Sequence, residues 1–362
     1  MDQLEHLLDW FTANQRQLPW RESKDPYRIW VSEIMLQQTR VQAVMPYYTR
    51  WMNRFPTVND LSTASMDEVN IYWQGLGYYQ RAKNLLRAAR LITQNSELSE
   101  PKWPNSSEEW QTLPGIGRYT ANAIASIAHG EPVPVVDGNV KRVFARLTMC
   151  SLMDNQLENS AWDWAILNLR TENPGEWNQA LMELGATVCT PKNPCCQECP
   201  LSPSCRAYNT GSQTLYPQKQ PPLKFKDQQL TCFFHYHKVN ESVYFLIHQF
   251  HGNEWWKGLW GLPYQELSDE NDWHFQNKLT LVQENLTTFK HTVTNHHLQI
   301  TPAILLYQDR PNHLQTDDHN LWINLEDIHN YAIPTAHQKA INTIKKYVTS
   351  SKSLSRSQLI ET

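Results

Sequence analysis

The sequence predicts a mainly α-helical domain followed by a smaller α+β domain, and three observations carry that prediction. Residues 1–210 hold apolar side chains at helical spacing, one run after another. Between Gly211 and Pro222 the text becomes Gly-Ser-Gln-Thr-Leu-Tyr-Pro-Gln-Lys-Gln-Pro-Pro, which cannot sustain a helix and reads as a linker over 211–228. Beyond it the period changes to strand-like alternation over 229–348. A chain of 362 residues is long enough for two such domains.

In the first half, Ile29, Trp30, Ile34, Val41, Val44 and Met45 recur at helical spacing, and Arg81–Ile92 forms a second such run. Ser106, with Glu109 three residues on, predicts a capping box. After the linker, Thr231–His237 and Ser242–His248 read as paired strands rich in aromatic and β-branched residues. His297–Pro302 and Ala303–Tyr307 continue the strand signal, Ile333–Val348 reads as a closing helix, and 349–362 reads as a disordered tail.

The formal charge is −4, and residues 1–210 carry 19 Lys/Arg against 22 Asp/Glu, so no basic footprint announces nucleic acid. No apolar run is long enough to span a bilayer, and the acidic start Met1-Asp-Gln-Leu-Glu-His has no export-signal pattern. A cytoplasmic protein without a membrane partner is expected. Cys150 and Cys232 stand alone and the other five cysteines cluster, a usage that fits a reducing compartment.

That cluster is Cys189-Thr-Pro-Lys-Asn-Pro-Cys-Cys196-Gln-Glu-Cys199-Pro-Leu-Ser-Pro-Ser-Cys205, read as C-x6-C-x2-C-x5-C. Four thiolates in one short loop can hold an iron–sulfur cubane or a tetrahedral zinc, and spacing alone leaves both open. Cys195, beside Cys196, is left outside the ligand set.

Leu113-Pro-Gly-Ile-Gly117 lies between two helical segments. Two glycines one residue apart let a turn expose backbone N–H groups at a helix N-terminus, where phosphate binds without lysines. Downstream, Val133-Pro-Val-Val-Asp137-Gly presents an aspartate in a loop at the start of a helix, an N-cap position. Glu33 has Ile29, Trp30, Leu36 and Gln37 as helical neighbours. A carboxyl on that largely apolar face should be held protonated toward neutral pH, which suits a general acid.

The hairpin turn, the loop aspartate and the four-cysteine run together resemble the endonuclease III superfamily of helix-hairpin-helix DNA glycosylases. The resemblance implies a [4Fe–4S] cluster on Cys189, Cys196, Cys199 and Cys205. In the strand-cleaving members a lysine nucleophile stands two residues after the second hairpin glycine; here that residue is Tyr119, which cannot form a Schiff base. Leu18-Pro-Trp-Arg21, Trp30-Val-Ser-Glu-Ile-Met-Leu-Gln-Gln-Thr, Gly75-Leu-Gly-Tyr-Tyr-Gln-Arg81 and Asn178-Gln-Ala-Leu-Met-Glu-Leu-Gly185 are similar to the adenine-removing MutY branch. That resemblance covers the whole helical half.

It implies base excision repair of double-stranded DNA at 8-oxoG:A or G:A mispairs, by a bacterial, nucleoid-associated monomer. Glu33 would protonate the flipped adenine, Asp137 would stabilise or trap the oxocarbenium ion, and Tyr119 would support the carboxylates. Trp20, Arg21, Gln179 and Glu183 would form the adenine pocket. Gln38 and Tyr78 would wedge the duplex, and Gly115, Gly117 and Lys141 would hold its backbone. A strand-cleaving glycosylase/lyase and a non-catalytic DNA-binding iron–sulfur protein are the alternatives.

Trp255-Trp-Lys-Gly-Leu-Trp-Gly-Leu-Pro resembles the opening of a Nudix-like domain that recognises 8-oxoguanine, but Phe275–Glu284 lacks the clustered glutamates of a Nudix metal box. The resemblance places Thr294 and Asn295 at the oxidised base, in the run Phe289-Lys-His-Thr-Val293-Thr294-Asn295-His296, where Val293 stands in place of the family's aromatic residue and Asn295 in place of its histidine. Twelve of the 14 histidines follow residue 210, yet their spacing shows no ligand motif, so solvated or core histidines are expected.

Overall fold

The computed structural model describes residues 5–94, 100–218, 224–266, 286–307, 310, 314 and 316–349; the Phe275–Glu284 stretch and the tail beyond 349 lie outside them. The chain divides into two compact units, residues 1–64 with 78–221 and residues 65–77 with 222–362. A single cut near residue 210 does not capture this division. The helix Met66–Trp73, inside the helical half of the sequence, belongs to the sheet unit.

Along the chain the helices are α1 (Glu5–Asn14), α2 (Pro26–Leu36), α3 (Val41–Arg54), α4 (Val58–Thr63), α5 (Met66–Trp73) and α6 (Gln80–Gln94). They continue as α7 (Ser107–Gln111), α8 (Arg118–His129), α9 (Gly138–Thr148), α10 (Asp154–Leu167), α11 (Pro174–Thr187) and α12 (Arg206–Asn209). No helix among the described residues is long and apolar enough to cross a membrane.

Local chemistry sets the ends of the helices that matter. Asp25 caps α2 by accepting from Tyr27 N at 2.9 Å, with Pro26 in the first turn, where its missing N–H costs nothing. Ser106 caps α7 by accepting from Glu109 N. Glu109 reaches back to Asn105 N at 2.8 Å rather than to Ser106 N, so the predicted box closes one residue early. In the first unit, α1, α9, α10 and α11 enclose one apolar core around Phe11, Phe144, Trp162, Trp177 and Leu181. Helix α11 can approach α9 closely because Gly185 has no side chain; a Cβ there would lie 2.6 Å from that of Asn139.

Among the described residues the second unit holds seven strands: β1 (Lys226–Val239), β2 (Ser242–Gln249), β3 (Trp260–Gly261), β4 (Tyr264–Glu266), β5 (Phe289–Val293), β6 (His296–Tyr307) and β7 (Asn320–Asn324). The main order is β3-β2-β1-β6-β5, with β4 on β1 and β7 on β2. The two predicted segments after residue 296 form one strand, paired in parallel with β1 from Lys226↔His296 to His237↔Tyr307. One face carries Leu230, Phe234, Phe245 and Ile304 against helix α13 (Thr335–Thr349), which presents Ala336, Ala340 and Ile344 at helical spacing. Helix α5 joins this unit through Asn70 Nδ2, which donates to Gly258 O at 3.3 Å, and Gln74 Nε2, which donates to Ile333 O at 3.0 Å.

Candidate active site

A cavity of about 600 Å³ opens in the first unit between α2, α8, the N-terminus of α9 and one face of α11. Glu33, from the middle of α2, is 7% exposed at its wall. The Tyr119 hydroxyl, from the first turn of α8, donates to Glu33 Oε2 at 2.8 Å. Burial drives the Glu33 carboxyl up to about 7; the bond from Tyr119 and the charge of Arg21 oppose the rise, and Asp137 adds to it. Burial also pushes the Tyr119 phenol well above its ordinary range, so it stays a donor.

Asp137 faces the same cavity. It caps α9, accepting from Val140 N at 2.7 Å and from Asn139 Nδ2 at 2.7 Å. Burial raises its pKa, and those bonds work against the rise. The cap reading and the catalytic reading therefore fall on one carboxylate, held by two donors. Its loop is fixed in turn by buried asparagines. Asn178 Oδ1 accepts from Val135 N at 3.0 Å while its amide donates to Val133 O and Ser126 Oγ, and Asn122 Nδ2 donates to Pro134 O at 2.7 Å.

Trp20, Arg21, Gln38, Gln179 and Glu183 also line the cavity. Glu183, buried on α11, accepts from Arg16 Nε at 2.7 Å, Arg16 Nη2 at 2.8 Å and Arg21 Nη2 at 2.9 Å. Burial would lift its pKa, yet the two guanidiniums hold it down at about 2. Arg16 thus completes this corner, and neither it nor Asn178 stood out in the sequence as a site residue. The only local signal was a basic residue five positions before Arg21.

Gln38 and Tyr78 meet at a second, smaller cavity of about 200 Å³ with Gly115. All three have left-handed backbones, at φ 57°, 47° and 78°. Arg81 holds their supports, its Nη1 donating to the carbonyls of Ile34, Met35 and Gln37 while its guanidinium lies over the Tyr78 ring. A Cβ on Gly115 would collide with Asn84 at 2.6 Å. Gly117 is the N-cap of α8, has no side-chain cap bond, and would meet nothing within 4 Å if it carried a Cβ. Gly117 and Arg118 are exposed, so the start of α8 is reached from solvent with no side chain of the N-cap in the way. Lys141 Nζ is 3.0 Å from Glu158 Oε2 on the surface, an ion pair that a phosphate would have to replace.

Cys189, Cys196, Cys199 and Cys205 are all free thiols on the loop after α11, and Cys195 is exposed. Burial first, and the charge of neighbouring cysteines after it, pushes up the thiols of Cys196, Cys199 (to about 12) and Cys205. The four sulfurs thus share one electrostatic neighbourhood that a cationic centre would relieve. Arg146, itself buried, donates to Cys189 Sγ at 3.3 Å and to the carbonyls of Thr190 and Pro191, bracing the loop from α9. The donor set fits an iron–sulfur cluster.

Thr294 and Asn295 belong to the second unit, as the two-residue turn between β5 and β6. Thr294 is exposed with φ 51°, an uncommon backbone for a β-branched residue, and its hydroxyl donates to Val293 O at 2.8 Å. Val293 packs against the core of the unit instead of projecting an aromatic ring.

Comparison with known proteins agrees with this reading. Residues 31–165 match the HhH-GPD superfamily of base excision DNA repair proteins, and residues 232–343 match the NUDIX domain. A thermostable thymine-DNA glycosylase superposes with a TM-score of 0.51 at 26% identity, over 57% of this chain and 95% of its own. Fold and cavity together thus define a helix-hairpin-helix glycosylase of base excision repair.

An adenine DNA glycosylase of Buchnera aphidicola (subsp. Schizaphis graminum) is 31% identical over 94% of this chain and 97% of its own length. The Arabidopsis thaliana adenine DNA glycosylase is 40% identical over 74% of this chain, which spans about half of that longer relative, 48%. The chain belongs to the adenine DNA glycosylase family, hydrolases that cleave N-glycosidic bonds in DNA.

Proposed function

We propose that the protein excises adenine paired with 8-oxoguanine or guanine in duplex DNA, by hydrolysis and without strand cleavage. The observation that carries this reading is the pair of carboxylates on one cavity, one held by burial near pKa 7 and the other fixed by two donors at a helix cap. Adenine turned out of the stack enters the cavity, since its glycosidic bond is beyond reach inside the duplex. Glu33 gives its proton to an imidazole nitrogen of the base, the bond from C1′ to the base breaks, and adenine leaves neutral. Asp137 stabilises or traps the oxocarbenium ion. Water adds to C1′ and yields its proton to the Glu33 carboxylate, which restores the acid.

Tyr119 holds Glu33 and offers no amine, which supports a monofunctional enzyme. Trp20, Arg21 and Gln179 bound the base, while Glu183 acts by fixing Arg16 and Arg21 in place. Gln38 and Tyr78 enter the duplex at the vacated position, and the N-terminus of α8 beyond Gly115 and Gly117 grips the backbone. Lys141 turns from Glu158 to phosphate. Cys189, Cys196, Cys199 and Cys205 would hold a [4Fe–4S] cluster, whose iron would let these thiols ionise, and Arg142 and Arg146 would balance the charge.

Thr294 and Asn295 face the oxidised base. With Val293 in the core and no aromatic ring at the turn, discrimination between 8-oxoG:A and G:A is weaker than in a loop that carries one. Single-turnover adenine release from both duplexes tests the reading, with borohydride trapping alongside. Adenine release with no trapped adduct is expected; a covalent adduct, or no release from either duplex, overturns it.

A further inference from the structure

The second unit gathers a set of side chains that the glycosylase reading does not use. His248 is the penultimate residue of β2, and His251 and Glu254 follow in the next loop, a His-x2-His-x2-Glu spacing. His248 Nε2 lies 3.2 Å from the Glu254 carboxylate, His251 Nδ1 lies 3.3 Å from Glu254 Oε2, and the three donor atoms all fall within 4.8 Å of one another. Zinc bonds to nitrogen or oxygen of about 2.0–2.1 Å would set tetrahedral donors roughly 3.4 Å apart. Two of the three separations already have that length.

The surrounding hydrogen bonds orient the donors. Asn320, opposite His248 in the β2–β7 register, gives its amide hydrogens to both oxygens of Asp317, at 3.1 and 3.0 Å. Its Oδ1 is thereby turned to His248 Nδ1 at 3.0 Å and can only accept. The proton of a neutral His248 therefore sits on Nδ1, and the lone pair of Nε2 points at the Glu254 carboxylate. A cation shared by the two groups, whether a second imidazole proton or a metal ion, satisfies both at this separation. A carboxamide holding the far nitrogen of a histidine in this way is how proteins orient a metal ligand. Glu254 is fixed independently, Oε2 accepting from His251 N at 2.7 Å.

We propose that His248, His251 and Glu254 bind a divalent transition metal of the zinc class, with Asn320 as the positioning residue and the fourth coordination position toward solvent. Two imidazoles and one carboxylate are a borderline-soft set that selects zinc over magnesium or calcium. His319 packs edge-on against His251, ring centroids 4.5 Å apart, and forms one wall of the site. Bound metal would join the end of β2, the loop leading to Trp255 and Trp256, and the start of β7.

The test uses the full-length protein with its thiol loop loaded with iron, so that zinc cannot collect on the cysteines. After dialysis against a chelator, zinc chloride alone is titrated calorimetrically, and zinc per chain is measured by elemental analysis. X-ray absorption at the zinc edge reads the ligands. One zinc per chain is expected, with nitrogen and oxygen neighbours at about 2.0–2.1 Å and no sulfur at about 2.3 Å. His251→Ala, a change at the most exposed ligand, should weaken binding at least tenfold, and Asn320→Leu should weaken it about 10–100-fold. Zinc raises the melting temperature of the wild type more than that of His251→Ala. Absence of a bound zinc in the wild type, sulfur neighbours at the edge, or equal affinity in wild type and His251→Ala overturns the proposal.

Discussion

The Tyr119 hydroxyl donates to Glu33 Oε2 at 2.8 Å, and this bond is the largest influence opposing the burial that raises Glu33 to about 7. Tyr119→Phe removes it and leaves the ring in place, so the Glu33 pKa rises further. An acid must be protonated to act, so the falling alkaline limb of the pH–rate profile should move up by about one unit, with the rate at neutral pH changed by less than about tenfold. Single-turnover adenine release across pH 5–9 reads both quantities. A limb that stays put would show that Tyr119 does not tune Glu33.

Glu33→Gln should lower adenine release by roughly 10²–10⁴-fold while duplex binding survives. It should also change how stability depends on pH. A carboxyl raised from 4.5 to about 7 contributes stability that is fully present below the unfolded pKa and is lost as pH rises through the folded one. The neutral amide has no such loss, so the variant should gain on the wild type between pH 5 and 8, on the order of 3 kcal/mol if it keeps the bond to Tyr119. Melting temperatures at the two pH values provide the check, and an unchanged difference counts against a protonated Glu33.

Glu183 shows the opposite sign. Held near 2, it contributes stability above its unfolded pKa that disappears as pH falls through the folded value. Glu183→Gln leaves Arg16 and the mostly buried Arg21 without their anion and should cost about 2–3 kcal/mol, less than a fully enclosed pair because Arg16 is 36% exposed. Denaturant titration at pH 7 measures that loss. It should shrink below pH 4, and a constant loss would assign the effect to packing.

Asn178→Leu keeps volume but strands the Val135 N–H and the Val133 carbonyl in the loop that carries Asp137. About 1–3 kcal/mol of stability should be lost. Adenine release should slow at saturating duplex while duplex affinity changes little, because in the proposed mechanism Asp137 acts on the reacting sugar and contributes little to ground-state binding. A change confined to affinity would remove Asn178 from the positioning of Asp137.

The structure gathers Glu33, Asp137 and Tyr119 on one cavity; the first two signal locally, as a carboxyl on an apolar helical face and a cap before a helix, whereas Tyr119 was marked only by the resemblance to the hairpin family. The four-cysteine loop was legible because it too signals locally. Arg16 was not, since its partner lies 167 residues away and nothing adjacent marks it; Asn178 opens one of the quoted stretches, yet its bond to Val135, 43 residues back, has no sign in the sequence. Helix α5 looked like one more helix of the first domain because its attachments, Gly258 and Ile333, are backbone carbonyls of distant loops. The histidines divide in the structure. His235 and His337 are core residues, as expected, whereas His248 and His251 converge on Glu254 only when the chain turns after β2.

If Gln38 and Tyr78 wedge the duplex as proposed, their left-handed backbones change where the cost of inspecting DNA falls. Such a conformation in an ordinary residue costs of order 1–3 kcal/mol, and here Arg81 and the packing of α2 enforce it in the free protein. The chain therefore sacrifices some stability when it folds, and in the proposed wedging role it would need no local rearrangement on meeting a duplex. A probe that is set in advance lets an enzyme reject an intact base pair as fast as it can diffuse to the next. Relaxing either residue with glycine should give a more stable protein and a slower search.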